Sequence, residues 1–176
     1  MKRTLRRGLS RSAALLTALV AGCSGPKASQ TTTLSTPDEA TFPPVSDALE
    51  VRCGTLDCHG SIYRNLRMYG IYGVRADAKD VTGTGATTAD EYARNYVSFI
   101  GLAPEALSAI VQTHGQGIEH FIVITKGTNA EDHKGGQRMK KGDSAYQCLT
   151  SWISGTIDMN ACTDASAITP PGGDGF

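Results

Sequence analysis

The sequence predicts a mainly α fold, a small helical domain with long loops, and three observations carry that expectation. Apolar residues recur at helical spacing in several stretches. Capping and terminating residues bracket those stretches. Between them, Gly70 to Gly85 is dotted with glycine and offers no periodic apolar face.

Taken in order, the first helix is expected around Val45 to Arg52, after Pro43-Pro44, with Val45, Leu49 and Val51 toward a core. A second runs from about Asp90 to Ile100, where Tyr92, Tyr96, Val97 and Ile100 share helical spacing. A third spans Pro104 to Gln112. Proline suits its first turn, and Leu107, Ile110 and Val111 line one face. The last is the clearest: Asp143 or Ser144 caps it, Tyr146, Leu149, Trp152 and Ile153 form its apolar side, and Gly155 ends it. Phe121 to Ile124 reads as a short buried strand or an apolar loop.

The N-terminus sets the compartment. Lys2, Arg3, Arg6, Arg7 and Arg11 precede the apolar run Ala13 to Ala21, which is too short to span a bilayer and reads as a signal segment. The run ends in Val20-Ala21-Gly22-Cys23, which resembles a bacterial lipobox. Residues 1–22 are then a leader, and Cys23 carries a lipid that anchors the chain to a membrane facing the periplasm. The outer membrane is preferred, because Ser24 is not the aspartate that tends to retain such proteins at the inner one. Residues 23–44 read as a flexible tether, 45–162 as the folded domain and 163–176 as a loose tail.

Cleavage also changes the charge. The whole chain balances 17 Lys+Arg against 17 Asp+Glu. Five of the cations leave with the leader, so 12 face 17 and the mature chain is at −5. An acidic body argues against nucleic acid as a partner, which would demand a basic face.

The densest chemistry lies in Cys53-Gly54-Thr55-Leu56-Asp57-Cys58-His59-Gly60. Two thiols followed at once by an imidazole is the pattern of covalent c-type haem attachment: Cys53 and Cys58 bind the porphyrin and His59 ligates iron from the proximal side. Four residues separate the cysteines here, where the common motif has two. Two alternatives stand beside the haem. One is a Cys53–Cys58 disulfide, which four intervening residues permit in a turn. The other is a zinc site built from Cys53, Cys58, His59 and His133.

Cys148 and Cys162 are left over, and in an oxidising compartment two such thiols are expected to pair. A sixth iron ligand requires His or Met from a loop on the other face. His133, in the glycine-rich His133-Lys134-Gly135-Gly136, is favoured; Met139 is second choice, and an open sixth position is a third option. Arg64 and Arg67 follow the motif closely enough to pair with haem propionates, or else are ordinary surface charge. There is no nucleophile elbow, P-loop or Ser-His-Asp order, and no enzyme activity is expected.

Residues beyond the motif carry a resemblance. The run Arg52 to Gly60, then Arg64-Asn65-Leu66-Arg67-Met68-Tyr69-Gly70, Glu105-Ala106-Leu107, Lys126-Gly127, His133 to Gly136, and Asp143 to Ile153 together resemble, in order, a group of exported proteins with cytochrome c-like domains. That group is common in myxobacteria and allied to the planctomycete-type cytochrome c domains. The similarity covers most of Val45 to Cys162, and the cysteine spacing is where the chain departs from it. The resemblance implies one haem c with its iron, an N-terminal helix crossed by a C-terminal one, and single-electron transfer with a redox partner protein that the sequence does not name. Porphyrin burial would supply apolar area to a chain in which aromatics make up only 6%.

Overall fold

The computed structural model describes residues 32–168. Six α-helices and two single 3-10 turns account for its regular structure, and no strand occurs among the described residues. The mainly helical expectation holds.

Helix α1, Pro43–Cys53, starts on two prolines and ends at the first motif cysteine. Helix α2, Ala89–Ile100, is opened by a capping box: the Thr88 hydroxyl accepts from the Glu91 amide while the Glu91 carboxylate accepts from the Thr88 amide. Helix α3, Pro104–Gln112, matches its predicted span. Helix α5, Ser144–Ile153, is capped by Asp143, whose carboxylate accepts from the Tyr146 amide at 2.8 Å. Gly155 follows with φ +91°, a left-handed turn that glycine adopts without a Cβ clash.

Two elements differ from expectation. Ile122–Gly127 forms a short helix, α4, with Phe121 as its N-cap. Its β-branched run favours a strand on propensity, but without a partner strand its backbone groups are satisfied within a helix. The second difference is α6, Met159–Ser166, capped by Asp158. It occupies much of what reads as an irregular segment and the start of a loose tail. Ala161, Cys162 and Ala165 are buried in it, and these small side chains bring α6 close against α1 and α5. The disulfide Cys148–Cys162 joins α5 to α6, as predicted.

The core is aromatic. Trp152 on α5 lies 5.0 Å from Phe42 and 5.3 Å from Phe99 between ring centres, and Phe99 meets Phe121 at 5.8 Å. Phe42 falls inside the predicted tether, yet it is fully buried. Around it the Trp152 indole donates to the Asp38 carbonyl at 2.9 Å, the Tyr96 hydroxyl to the Pro37 carbonyl at 2.8 Å, and the Ser35 amide to the Ser108 hydroxyl at 2.9 Å. The folded body therefore starts near residue 35, not 45. Cys23 and the signal segment lie outside the described residues, as does everything after residue 168. Among the described residues no helix is long and apolar enough to cross a membrane.

Candidate functional site

The motif begins where α1 stops. The Gly54 amide donates to the Glu50 carbonyl at 2.8 Å, closing the helix one residue after Cys53. The chain then folds back on itself. The amides of Cys58 and Gly60 both donate to the Thr55 carbonyl, and the His59 amide donates to the Cys53 carbonyl at 2.8 Å. The four intervening residues are thus taken up in a turn, and His59 returns to the end of the helix. Gly60 sits against the Gly54 carbonyl and Gly73, where a side chain would collide with backbone. The Arg64 guanidinium closes the far side, donating to the Cys58 carbonyl at 3.2 Å.

Two imidazoles meet in front of this turn. His59 and His133 have ring centres 6.0 Å apart and planes within 17° of parallel. Nδ1 of His59 lies 2.7 Å from the Leu66 carbonyl, and Nδ1 of His133 lies 3.2 Å from the Gly136 carbonyl. A carbonyl oxygen only accepts, so each Nδ1 carries a proton, and in the neutral ring the lone pair is on Nε2. Burial lowers the pKa of His59, with the nearby charges of His133 and Arg64 adding to it against the Leu66 hydrogen bond. His59 is therefore neutral at neutral pH. A backbone carbonyl behind a ligating histidine is the usual device for fixing ring orientation and tautomer at a metal.

The rings stand where two cavities adjoin, one of about 350 Å³ and one of about 450 Å³. The first is walled by Leu66, Leu102, Ile122, Val123 and Met139. The second is walled by Cys58, Arg138, Lys134 and Asp132, and Cys53, Arg64 and Lys126 face both. Lys126 is held by Glu131 at 2.6 Å and by the Asp132 carbonyl at 2.9 Å. The Arg138 Nε is buried and has no hydrogen-bond partner. Cys53 is buried, and that burial, with the neighbouring Cys58, pushes its thiol up to about 12 against the opposing charges of Arg138 and Arg52.

No family model, no curated protein and no solved structure matches this chain.

The predicted site residues are brought together unequally. Cys53, Cys58, His59 and His133 line one cavity. Cys53 and Cys58 are free thiols and are not bonded to each other. Among the described residues no group of three or more His, Cys, Asp or Glu side chains is placed to hold a metal ion, so the four-residue zinc set is not assembled. Met139 lies on the wall of the apolar cavity, almost fully buried and packed against Gly127. Arg64 faces the site, but Arg67 turns away toward Tyr69 and the Ile62 carbonyl. His114 and His120 are exposed and line neither cavity.

Sequence reasoning missed the support behind the motif. The Arg75 guanidinium donates to both Glu91 oxygens, at 2.8 and 3.0 Å, and to the carbonyls of Thr84 and Ala86. Amides of Ala76 and Thr88 complete the Glu91 shell. Nearby, buried Glu50 accepts from Ser46, Thr87 and Asn95, while Asn95 exchanges hydrogen bonds with the Tyr69 backbone. Glu91 lies 16 residues from Arg75, and Thr87 lies 37 residues from Glu50.

Proposed function

We propose that the chain is a c-type haem protein that passes single electrons in the cell envelope. The observation that carries this reading is the pairing of His59 with His133. Their ring centres lie 6.0 Å apart, close enough that both imidazoles would hold one haem iron. Both rings have Nδ1 turned to a backbone carbonyl, which leaves Nε2 as the ligating position, and Cys53 and Cys58 stand beside them as free thiols.

The surroundings fit the group as well. A porphyrin is flat, largely apolar and doubly acidic at one edge. The apolar wall of Leu66, Leu102, Ile122 and Val123 suits its body, and Arg64, Lys126, Lys134 and Arg138 suit its carboxylates. The orphaned Nε of Arg138 is a buried donor awaiting such an acceptor. When bound, the haem supplies a one-electron couple at iron, with its potential set by axial ligands and burial.

Each residue then has a distinct task. Cys53 and Cys58 would hold the group covalently, and His59 and His133 would hold its iron. The Leu66 and Gly136 carbonyls keep those rings in the required tautomer. Met139 serves as cavity wall, not ligand, because His133 is the side chain opposite His59. The lipobox-like Val20-Ala21-Gly22-Cys23 supports a lipid at Cys23 that confines the electron carrier to a membrane surface, with the outer membrane preferred.

Intact mass measurement tests the reading. Protein matured with a c-type haem attachment system is expected to gain the mass of one haem under denaturing conditions. Cys58→Ala is expected to lose at least part of that covalent attachment. A wild-type mass without haem, in a strain that matures a control cytochrome, would overturn the proposal.

A further inference from the structure

A second groove, about 450 Å³, runs between the segment after the motif and α2, and it shares Arg64 and Asn65 with the apolar cavity. Three arginines line it, Arg64, Arg67 and Arg94, and no carboxylate does. Its floor is the Tyr69 ring, over which the guanidinium carbons of Arg67 and Arg94 sit at 5.9 and 5.6 Å from the centroid. Two cations within cation–π distance of one ring are partly held in place before any ligand arrives, which lowers the ordering cost of binding. The Arg67 Nε is buried without a partner. Arg94 has one carboxylate neighbour, Asp90 at 2.8 Å, one helical turn back and exposed. Val97, which lines the groove, is 63% exposed, and Tyr63, next to Arg64 in the chain and on the wall of the adjoining apolar cavity, is 86% exposed.

This face opposes the rest of the molecule in sign. Exposed Tyr with Arg at the margin of a groove is the composition of a protein interface. A guanidinium presents a planar fork of donors that matches a carboxylate.

We propose that this groove docks the acidic face of a partner protein, its carboxylates meeting Arg64, Arg67 and Arg94 and its apolar contact falling on Tyr63 and Val97. An anionic lipid surface is the weaker fit, because an acidic body is repelled from such a surface while three cations attract it. The docking itself stands on the groove. Its meaning as the route for electrons rests on the haem reading, since Arg64 and Asn65 wall both sites.

The test is an NMR titration of the isotope-labelled, haem-matured protein with a Glu/Asp-rich peptide at low salt. Parallel titrations use inorganic phosphate and anionic phosphatidylglycerol vesicles. Peptide shifts confined to Arg64, Arg67, Tyr69, Arg94 and Val97, weakened at least tenfold by 200 mM salt, are expected. Arg94→Glu, at an exposed position, is expected to weaken peptide binding about tenfold with the remaining spectrum unchanged; Arg67→Gln, which lines this groove and neither cavity of the haem site, provides a second, milder variant. Peptide shifts that avoid the groove, or that survive both substitutions, would overturn the docking proposal. So would phosphate matching the peptide, which would mean a small-anion site, or vesicles binding in its place, which would mean a membrane face. If the protein carries no haem, the same titration on the protein as isolated still decides the docking, so the two proposals fail separately.

Discussion

His59 and His133 face one another with ring centres 6.0 Å apart, and each donates Nδ1–H to a backbone carbonyl behind it. One ring follows the second motif cysteine, and the other comes from a loop 74 residues later. That convergence sets the first prediction. In haem-matured protein, His133→Ala is expected to open one axial position, giving a high-spin spectrum and carbon monoxide binding after reduction. Met139→Leu, which conserves volume at the cavity wall, is expected to leave the visible spectrum unchanged. Absorbance spectra of the two variants, recorded side by side, check this; a high-spin shift in Met139→Leu alone would reverse the ligand assignment.

The Arg75–Glu91 pair is a second point of leverage. Burial alone would raise the pKa of Glu91, but the hydrogen bonds from Arg75, Thr88 and Ala76, with the Arg75 charge, outweigh it and hold the carboxyl at about 2. Arg75→Met leaves a buried carboxylate unpaired and is expected to cost about 3–5 kcal/mol, measured by urea unfolding. The contribution of Glu91 is present above its unfolded value near 4.5 and is lost as pH falls toward 2.

Glu50 tilts stability the other way. Burial raises its pKa to about 7, only partly offset by hydrogen bonds from Thr87 and Ser46, and the charges of Asp47 and Glu91 push in the same direction as burial. The folded state then holds a proton that the unfolded state gives up above 4.5. Stability from this group is full below 4.5, falls as pH rises to about 7, and is level beyond. The span corresponds to about 3 kcal/mol. Glu50→Gln is expected to remove that slope, so the difference between wild-type and variant unfolding free energies should widen in favour of the variant between pH 4.5 and 7. A difference that stays constant across that range would contradict the reading.

The Cys148–Cys162 bridge closes a loop with sequence separation 14. Replacing both cysteines with alanine is expected to cost about 3 kcal/mol, seen in thermal or urea unfolding. Because α6 packs on α1, the loss should also loosen the helix that ends at Cys53, which hydrogen exchange at the Gly54 and His59 amides would register.

How much of this was legible in the sequence depended on whether the information was local. Helices α2 and α5 carry side-chain caps, α3 starts on a proline, and all three have apolar faces, so their spans were readable to within a residue or two. Helix α6 was missed because Ala161, Cys162 and Ala165 are too small to make a marked apolar stripe; their smallness matters where they pack against α1 and α5. Phe42 was hidden by its polar neighbours, since a single anchor does not alter the composition of a tether. At the site, Cys53, Cys58, His59 and His133 were recognisable by residue type and spacing. The salt bridge from Arg75 to Glu91 was not, nor were the Thr87 and Asn95 bonds to Glu50, because those partners are far apart in sequence and come from different elements. Arg67 was chosen by nearness in sequence to the motif, but its side chain is drawn off by the Tyr69 ring and the Ile62 carbonyl.

The most direct measurement is a reduced-minus-oxidised pyridine haemochrome spectrum of matured protein after acid–acetone extraction. A c-type band that survives extraction in wild type, and is lost or diminished in Cys58→Ala, is the predicted result. No band, with a count of zero free thiols after denaturation, would mean that Cys53 and Cys58 are paired with each other and that the cavity between His59 and His133 holds no haem.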